Sequence, residues 1–279
     1  MCLSGAELSA TRIPKEVDLR LSEPRGYLFE IFSSIQGEGI HVGERQLFVR
    51  TAGCSATCRW CDTVPGKKRR PYFVVHGARR RTIENPVTAA RAMKETLSLA
   101  NARNPVRSVS ITGGEPLEQP GFVAALARRM KDKGFRTHLE TSGIEAAALP
   151  GVVEWIDVVA MDIKLPSATG KDHWDAHREF LRIAAARVSA AKAEVFVKVV
   201  VDHTTPVAEI ERAVDLVAGI DRRIPVVLQP ESGTHVLEIH GPAARKRLAG
   251  LLDLAQRAAL GKIDNVRVIP QCHKLLKVR

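Results

Sequence analysis

Long apolar runs are missing from this sequence of 279 residues. Because a helix that crosses a membrane needs about 18 or more consecutive apolar residues, the sequence predicts no membrane span. The chain also starts without the basic and apolar stretches of a signal peptide. We therefore expect a location in the reducing cytoplasm.

Cysteine, aromatic and acidic residues are also few: the chain has five cysteines, 5% aromatic residues and a net charge of +11. In a reducing compartment, five cysteines argue against a disulfide framework and for metal or catalytic use of any cluster. Seven basic residues lie within 67–81, KKRRPYFVVHGARRR, which contains no acid. This segment is either a solvated basic loop or a docking surface for an anionic partner. Its two aromatic residues are too few to stack bases, so we expect no nucleic-acid partner.

Short apolar runs alternate with amphipathic helical patterns over most of the chain. The runs predicted as strands lie at 47–52, 106–112, 135–140, 155–164, 194–201, 224–230 and 266–270. Most are continuously apolar, which is typical of strands buried on both faces of a parallel sheet. The pattern predicts an α/β fold with a mostly parallel sheet, either curled into a full or partial barrel or doubly wound. We expect an irregular lead-in over residues 1–25 and a single domain over residues 26–279.

Polar segments follow the ends of the predicted strands. In chain order they are the cysteine loop after the first strand, TGGEP (112–116), ETSG (140–143), DIK (162–164), QPES (229–232) and QCHK (271–274). Because active sites of such folds lie at the carboxyl ends of the strands, these segments predict one shared pocket.

The cysteine loop contains Cys54, Cys58 and Cys61 in the spacing Cys-x3-Cys-x2-Cys. A structural zinc site needs four ligands, and the fourth would have to be His41, His76 or a distant residue. A four-iron cluster on three thiolates instead keeps one iron open, where a small molecule with an amine and a carboxylate can chelate. The spacing alone leaves both interpretations open.

The cysteine spacing, the aromatic Trp60 before the last cysteine and the TGGEP segment together resemble the radical S-adenosylmethionine superfamily. The resemblance implies a partial (β/α) barrel of that superfamily's type, with a 4Fe-4S cluster on the three cysteines and bound S-adenosylmethionine. In that superfamily, reductive cleavage of S-adenosylmethionine yields a radical that abstracts hydrogen from the substrate. Gly113, Gly114 and Glu115 match the motif that binds the methionyl amine.

Three further motifs narrow the resemblance: FSSIQGEG (32–39), the Cys61-Asp62-Thr63 triplet and QCHKLLKVR (271–279). Over residues 26–279 they resemble the 7-carboxy-7-deazaguanine synthase family, which acts in queuosine and deazapurine biosynthesis. Members of that family are lyases that contract the ring of 6-carboxy-5,6,7,8-tetrahydropterin with loss of ammonia. The resemblance assigns ligands of substrate, cofactor and metal but no catalytic side chain.

The substrate carries a carboxylate, which a guanidinium can bind through two parallel hydrogen bonds. The resemblance assigns this role to Arg50. The other residues assigned to substrate are Gln36, Gly37, Glu38, Thr112, His273 and Arg279. For Arg279 we expect the terminal carboxylate to reach the pterin, with the adjacent Leu275 and Leu276 favouring a docked tail.

The remaining assignments concern cofactors and partners. The Thr63 hydroxyl is expected to join a Mg²⁺ ion that also contacts substrate. The residues assigned to S-adenosylmethionine are Trp60, Asp62, Gly113, Gly114, Glu115, Glu140, Ser142, Asp162, Ile163, Lys164, Gln229, Pro230, Glu231 and Ser232. A homodimer is implied by the resemblance, and residues 67–81 suit an acidic flavodoxin-type reductant. Two alternatives stand beside this interpretation: a glycyl-radical-enzyme activase and a zinc-stabilised basic nucleic-acid-binding module.

Overall fold

The computed structural model describes residues 23–101, 105–191, 193–231 and 241–279. Its strands are β1 (Arg25–Gly26), β2 (Leu28–Ile35), β3 (Arg45–Thr51), β4 (Tyr72–His76), β5 (Arg80–Glu84), β6 (Val87–Thr88), β7 (Ser108–Gly113), β8 (Arg136–Thr141), β9 (Val158–Ile163), β10 (Glu194–Val201), β11 (Val226–Pro230) and β12 (Val266–Val268). Its helices are α1 (Ala89–Leu97), α2 (Pro120–Asp132), α3 (Pro166–Thr169), α4 (Trp174–Ala191), α5 (Val207–Ala218), α6 (Gly241–Leu260) and α7 (Cys272–Leu275). The seven strands expected from the sequence correspond to β3 and β7 to β12.

Ten strands form one sheet in the order β12-β11-β10-β9-β8-β7-β3-β2-β4-β5. The strands from β12 to β3 are parallel to their neighbours, whereas β2 is antiparallel to β3. Within the described ranges the sheet keeps two edges, β12 and β5, and does not close. The prediction of an α/β fold with a partial, mostly parallel barrel is therefore confirmed.

The helices bury apolar stripes against one face of the sheet. In α2, Phe122, Leu126 and Met130 recur every four residues and are buried in the main core, as the pattern predicts. A smaller apolar cluster made of Val158, Ala160, Phe196 and Val227 fills the other face near the amino ends of β9 to β11. Side chains alternate along a strand, so the same face of these strands is free to carry polar groups further on.

Strands β2, β4 and β5 were not expected from the sequence. Residues 67–81 begin in a short 3₁₀ turn, continue through β4 and end in β5, so the basic segment forms a hairpin at the sheet edge rather than a loop. Strand β2 runs through the FSSI part of the FSSIQGEG motif and pairs with both β3 and β4. These strands place the QGEG turn beside the carboxyl ends of the parallel strands.

Two expectations concern the ends and surroundings of the chain. Residues 1–22 lie outside the described part, and Arg25 begins β1, so the division into a lead-in and one domain stays a prediction. Among the helices of the described residues, none combines the length and the apolar character needed to cross a membrane.

Candidate functional site

The carboxyl ends of the parallel strands surround a cleft of about 180 Å³ that opens to solvent. The predicted site residues that line it are Gln36, Gly37, Glu38, Arg50, Cys54, Cys58, Trp60, Cys61, Asp62, Thr63, Thr112, Gly113, Gly114, Glu140, Ser142, Asp162, Lys164, Gln229, Glu231, His273 and Arg279. Glu115, Ile163 and Pro230 are not part of its lining. Ile163 is buried in the main core on the helix side of the sheet, and Ser232 lies outside the described residues.

The cysteine loop between β3 and the next 3₁₀ turn is held by hydrogen bonds to its neighbours. The N–H of Cys54 donates to the carbonyl of Lys67 at 3.2 Å, and that of Arg59 donates to the carbonyl of Ala168 at 2.9 Å. The N–H of Ser55 donates to the carboxylate of Glu118 at 2.6 Å. These bonds fix the backbone of a loop that has no regular secondary structure.

The three thiols of this loop suit an iron–sulfur cluster. Cys54, Cys58 and Cys61 are half-buried, are not in disulfides and line the same cleft. Burial, together with the nearby carboxylates of Glu115 and Glu118, raises the pKa of Cys54 to about 11. A thiol whose pKa is raised by burial is a poor nucleophile but a good soft metal ligand once its proton is displaced.

The glycine pair after β7 allows this loop to approach the sheet closely. The N–H of Gly114 donates to the carbonyl of Thr51, and that of Glu115 donates to the carbonyl of Gly53 at 2.7 Å. A Cβ at Gly114 would collide with the backbone of Gly53. The pair therefore keeps the backbone open toward the cleft, as a group that binds the methionyl end of S-adenosylmethionine requires.

The side chain of Glu115 has a different position from the one expected. It is buried behind the cleft and accepts hydrogen bonds from the Thr141 hydroxyl at 2.7 Å and the Ser142 N–H at 2.8 Å. Burial raises its pKa above the usual range despite these donors. These hydrogen bonds make Glu115 a link between the ends of β7 and β8.

Arg50 lies at the cleft wall between β2 and the cysteine loop. Its Nε donates to Glu30 at 3.2 Å, and one of its terminal nitrogens donates to the Thr63 hydroxyl at 3.0 Å. Thr63 in turn donates to Asp62 at 3.0 Å. The oxygens of Thr63 and Asp62 are the hard ligands that Mg²⁺ prefers, so this corner of the cleft fits that ion.

Two aromatic residues that sequence reasoning missed, Phe32 and Phe48, form a flat part of the wall. Their rings are stacked with centroids 4.9 Å apart and an interplanar angle of 7°. The guanidinium groups of Arg50 and Arg279 lie 5.7 and 6.0 Å from the centroid of the Phe32 ring. A planar heterocycle with a carboxylate matches such a surface.

Glu140 gathers hydrogen bonds from three directions. Its carboxylate accepts from the Gln36 amide at 2.8 Å, the Ser110 hydroxyl at 2.7 Å and the Thr112 hydroxyl at 2.9 Å. Two of these donors, Gln36 and Thr112, are residues predicted to bind substrate. The structure therefore places Glu140 beside residues assigned to substrate, whereas the resemblance assigned Glu140 itself to S-adenosylmethionine.

Lys198 is the most buried cation of the cleft and was not predicted as a site residue. Its Nζ contacts the carboxylate of Glu38 and lies 3.2 Å from that of Asp162. Burial lowers its pKa, but the charges of Asp162, Glu38 and Glu140 outweigh that effect and hold the pKa well above its usual value. The same contact holds the pKa of Glu38 far below its usual range against the effect of burial. Both groups are therefore charged at neutral pH.

The segment after β12 folds back over this part of the cleft. The N–H of Cys272 donates to the carbonyl of Gly37 at 2.9 Å, and the Gln271 amide donates to Glu38 at 2.5 Å. Glu38, Asp62 and His273 each bring one ligand atom to within 4.8 Å of the others. Gln271 belongs to the QCHK motif, but the resemblance assigned it no ligand. Its amide donates to both Glu38 and Asp62, which makes it part of the site.

The last residue reaches the cleft through its side chain. Arg279 donates to Glu30 at 2.6 Å, so Arg279 and Arg50 share one buried carboxylate. Leu275 and Leu276 are 63% and 59% exposed, so the expectation that they favour docking is wrong. The tail is held by Arg279 and by the backbone of α7 instead.

The opposite side of the cleft suits an adenosyl group. Lys164 donates to Asp162 at 2.8 Å, and the pair lies at the end of β9. Gln229 is 2% exposed, and its side-chain oxygen has no hydrogen-bond partner among the described atoms. A buried acceptor at a cleft wall fits a ligand that brings a donor, such as an amine or ribose hydroxyl.

Comparisons with known proteins agree with this geometry. The sequence model of the Radical SAM superfamily matches residues 48–217. The 7-carboxy-7-deazaguanine synthase of Geobacter sulfurreducens is 36% identical over 261 residues, covering 92% of this chain and 99% of the relative. That of Methanopyrus kandleri is 36% identical over 256 residues, covering 89% and 92%. The crystal structure of QueE from Escherichia coli has the same fold, with a TM-score of 0.55, 21% identity, and coverage of 89% of this chain and 95% of that one.

A three-cysteine loop at the open end of a partial barrel, with a superfamily match over more than half of the chain, defines a radical S-adenosylmethionine enzyme. Within that superfamily, the chain belongs to the 7-carboxy-7-deazaguanine synthase family, because its relatives align with it over nearly their full length.

Proposed function

We propose that this chain converts 6-carboxy-5,6,7,8-tetrahydropterin into 7-carboxy-7-deazaguanine with loss of ammonia. The observation that carries the proposal is one cleft lined both by the three cysteines and by Phe32, Arg50 and Glu140. Relatives named for the same product, at 36% identity over most of the chain, support it. They favour this activity over a glycyl-radical-enzyme activase and over a zinc-stabilised nucleic-acid-binding module.

The cofactors are a 4Fe-4S cluster, S-adenosylmethionine and Mg²⁺, and together the first two supply the radical that abstracts hydrogen from the substrate. Cys54, Cys58 and Cys61 would hold the cluster. Asp162, Lys164 and Gln229, with the backbone at the glycine pair of β7, would hold S-adenosylmethionine. The Thr63 hydroxyl, backed by Asp62, would hold Mg²⁺.

The chain's own groups would orient the pterin. Arg50 uses only part of its donor fork on Glu30 and Thr63, which leaves N–H groups for a substrate carboxylate. Glu38 and Glu140, two acceptor side chains that line the cleft, suit the amine and ring N–H groups of the pterin edge. Lys198 balances their charge and keeps the carboxylates from repelling each other in a buried place.

An acidic flavodoxin-type protein is the proposed electron donor. The start of the basic segment lies against the cysteine loop, since Cys54 and Lys67 are joined by a backbone hydrogen bond. Arg59, on the loop itself, has a 52% exposed side chain. A basic rim of this kind would attract an acidic donor to the cluster. A homodimer and a cytoplasmic location are also proposed, on the family resemblance and the sequence respectively.

Anaerobic reconstitution tests the function. The reconstituted protein should be brown, and with 6-carboxytetrahydropterin, S-adenosylmethionine, Mg²⁺ and reductant it should form a product of the mass of 7-carboxy-7-deazaguanine. A brown protein that cleaves S-adenosylmethionine without forming this product would contradict the pterin substrate and favour the glycyl-radical-enzyme activase. A colourless protein that binds zinc with full occupancy would contradict the proposal as a whole.

A further inference from the structure

Strand β5 is the last strand of the ten-stranded sheet, and within the described ranges its outer edge has no neighbouring strand. Four of its five residues are exposed. The N–H of Asn85 donates to the carbonyl of Pro71 at 2.9 Å, so the alternate residues Ile83 and Arg81 direct their backbone groups toward β4. Backbone direction alternates along a strand, so Arg80, Thr82 and Glu84 direct theirs outward.

The side chains of these three residues share one face. Thr82 lies opposite Val74, and Glu84 lies opposite Tyr72 on β4. Phe73 and Val75 point into the main core, so the face with Thr82 and Glu84 is the other one. Tyr72 on that face is 48% exposed and lies beside the open edge.

We propose that β5 pairs antiparallel with β5 of a second copy of this chain, about a two-fold axis at Thr82. In that register Thr82 faces its own copy, Arg80 faces Glu84 of the other chain, and Glu84 faces the other Arg80. This pairing joins the two sheets into one continuous sheet. It makes the outer edge of β5 the interface of the homodimer proposed above.

The charges select this arrangement over its neighbours. Charged residues on an edge strand normally prevent pairing, and a chain with a net charge of +11 repels its own copy. Glu84 lies four residues after Arg80, so only the antiparallel register centred on Thr82 sets both arginines against both glutamates. Parallel pairing would set Arg80 against Arg80, and a shift of the antiparallel register by two residues would set both Arg80 and Glu84 of each strand against uncharged residues.

The interface is short and its ion pairs are exposed. Main-chain hydrogen bonds between the two β5 strands hold the copies together, while the charge pairs determine which residues lie opposite each other. Exposed pairs are screened at physiological salt. We therefore expect a reversible dimer whose dissociation constant rises with salt.

Sedimentation velocity of the reconstituted full-length protein from about 1 to 200 μM tests the proposal. Arg80→Glu and Glu84→Arg should each raise the dissociation constant at least tenfold, because each turns two attractive pairs into repulsive ones. The double variant R80E/E84R restores both pairs and should return the constant to within about threefold of the original. Arg79→Glu, in the hairpin turn outside the ladder, makes the same change of net charge and should have little effect.

Three outcomes would overturn the proposal: a monomer over the whole concentration range, a dimer indifferent to both single reversals, or a double variant that dimerises no better than the singles. Far-UV circular dichroism and cluster absorbance of each variant show that it is folded. Because sedimentation reads assembly and not turnover, failure here leaves the proposed activity untouched, and failure of the activity leaves this interface standing.

Discussion

At the scale of single residues, the site depends on buried charges that hold one another in place. Glu30 is 8% exposed and is contacted by Arg50, His76 and Arg279. A buried carboxylate that accepts from three partners fixes the direction of each of them. We therefore expect Glu30 to act on substrate through Arg50, as a positioning residue.

The cluster ligands give the first prediction. Cys54→Ala, Cys58→Ala or Cys61→Ala should each abolish the visible absorbance of the reconstituted cluster and all turnover, because each leaves the cluster with only two of its three thiolate ligands. Cys272→Ala is the matched control. Its Sγ contacts the carbonyl of Pro270, and its loss should leave iron content and absorbance unchanged. A bleached Cys272→Ala protein beside a brown Cys58→Ala protein would contradict the ligand assignment.

The second prediction concerns substrate affinity. Charge-assisted hydrogen bonds contribute about 1.5–3 kcal/mol each, and about 1.4 kcal/mol is a factor of ten. Arg50→Ala should therefore raise the Michaelis constant for substrate more than tenfold. Glu30→Gln keeps the shape but not the charge, and should raise it by a smaller factor.

Substrate-free cleavage of S-adenosylmethionine separates binding from cluster damage in this series, and it should survive both changes. Arg45→Ala, an exposed arginine on the same strand, should leave the Michaelis constant unchanged. An Arg50→Ala enzyme with normal substrate affinity would remove Arg50 from the substrate site.

At the scale of elements, parallel strands were predictable and the antiparallel ones were not. Strands β9 and β10 are continuous apolar runs, so their burial on both faces shows in the sequence. Strand β2 mixes Glu30 and Ser34 with apolar residues, because the face that they share with Phe32 borders the cleft. The polar residues that a functional surface requires thus interrupt the apolar pattern by which β2 could have been predicted as a strand.

The cysteines, the glycine pair and the chain-end motif were predictable because they are local in sequence. The partners of Glu38 and Glu30 were not. The Gln271–Glu38 and Arg279–Glu30 bonds join residues more than 200 positions apart, and the fold alone brings them together. One feature of the sequence could have identified Lys198 as a site residue: it is a lysine inside an apolar strand. Burying a lysine costs free energy unless an acid pairs with it.

The third prediction concerns how α7 is seated. Gly37 has the ring of His273 against the position a Cβ would take. Gly37→Ala should push His273 and α7 from the cleft, raise the Michaelis constant and lower stability by about 1–3 kcal/mol, as overpacking does. Gly121→Ala in α2, where a Cβ meets nothing within 4 Å, should be neutral or slightly stabilising. Equal kinetics and equal unfolding midpoints for the two variants would show that the contact is unimportant.

At the scale of the whole molecule, net charge and the buried histidines govern behaviour with salt and pH. The charge of +11 is unevenly placed, with residues 67–81 next to the cluster loop. Long-range attraction depends on such placement and is lost beyond the screening length. Partner encounter should therefore respond to salt while the chemistry of the cleft should not.

The fourth prediction applies this to reduction. Turnover driven by flavodoxin should fall several-fold between low salt and about 0.3 M salt, where the screening length is below about 8 Å. Turnover driven by dithionite should stay nearly constant. Lys68→Glu, on the exposed start of the segment, should weaken the flavodoxin-driven rate at low salt, whereas Lys246→Glu on α6 should not. Parallel salt profiles for the two donors would leave the basic segment without a docking role.

The last prediction follows from His138 and His177, which are 2% and 0% exposed. Burial is the main cause that lowers the pKa of His138 to about 3 and that of His177 to about 4. In the unfolded chain both take up a proton near pH 6.5, so below that pH the unfolded state binds more protons than the native state. The free energy of unfolding is then at its full value above pH 6.5. It falls as the pH drops toward the native pKa values, at up to ~1.4 kcal/mol per pH unit for each histidine.

Denaturant unfolding at pH 7.5, 6.5 and 5.5 should show this loss. His138→Asn should reduce the slope of the free energy of unfolding against pH, below pH 6.5, by the equivalent of about one proton. Carboxylates with lowered pKa values act only below about pH 4.5, so they do not contribute in this window. An unchanged slope in His138→Asn would mean that the histidine is protonated inside the fold, with the nearby charges of Glu44 and Asp157 outweighing the effect of burial.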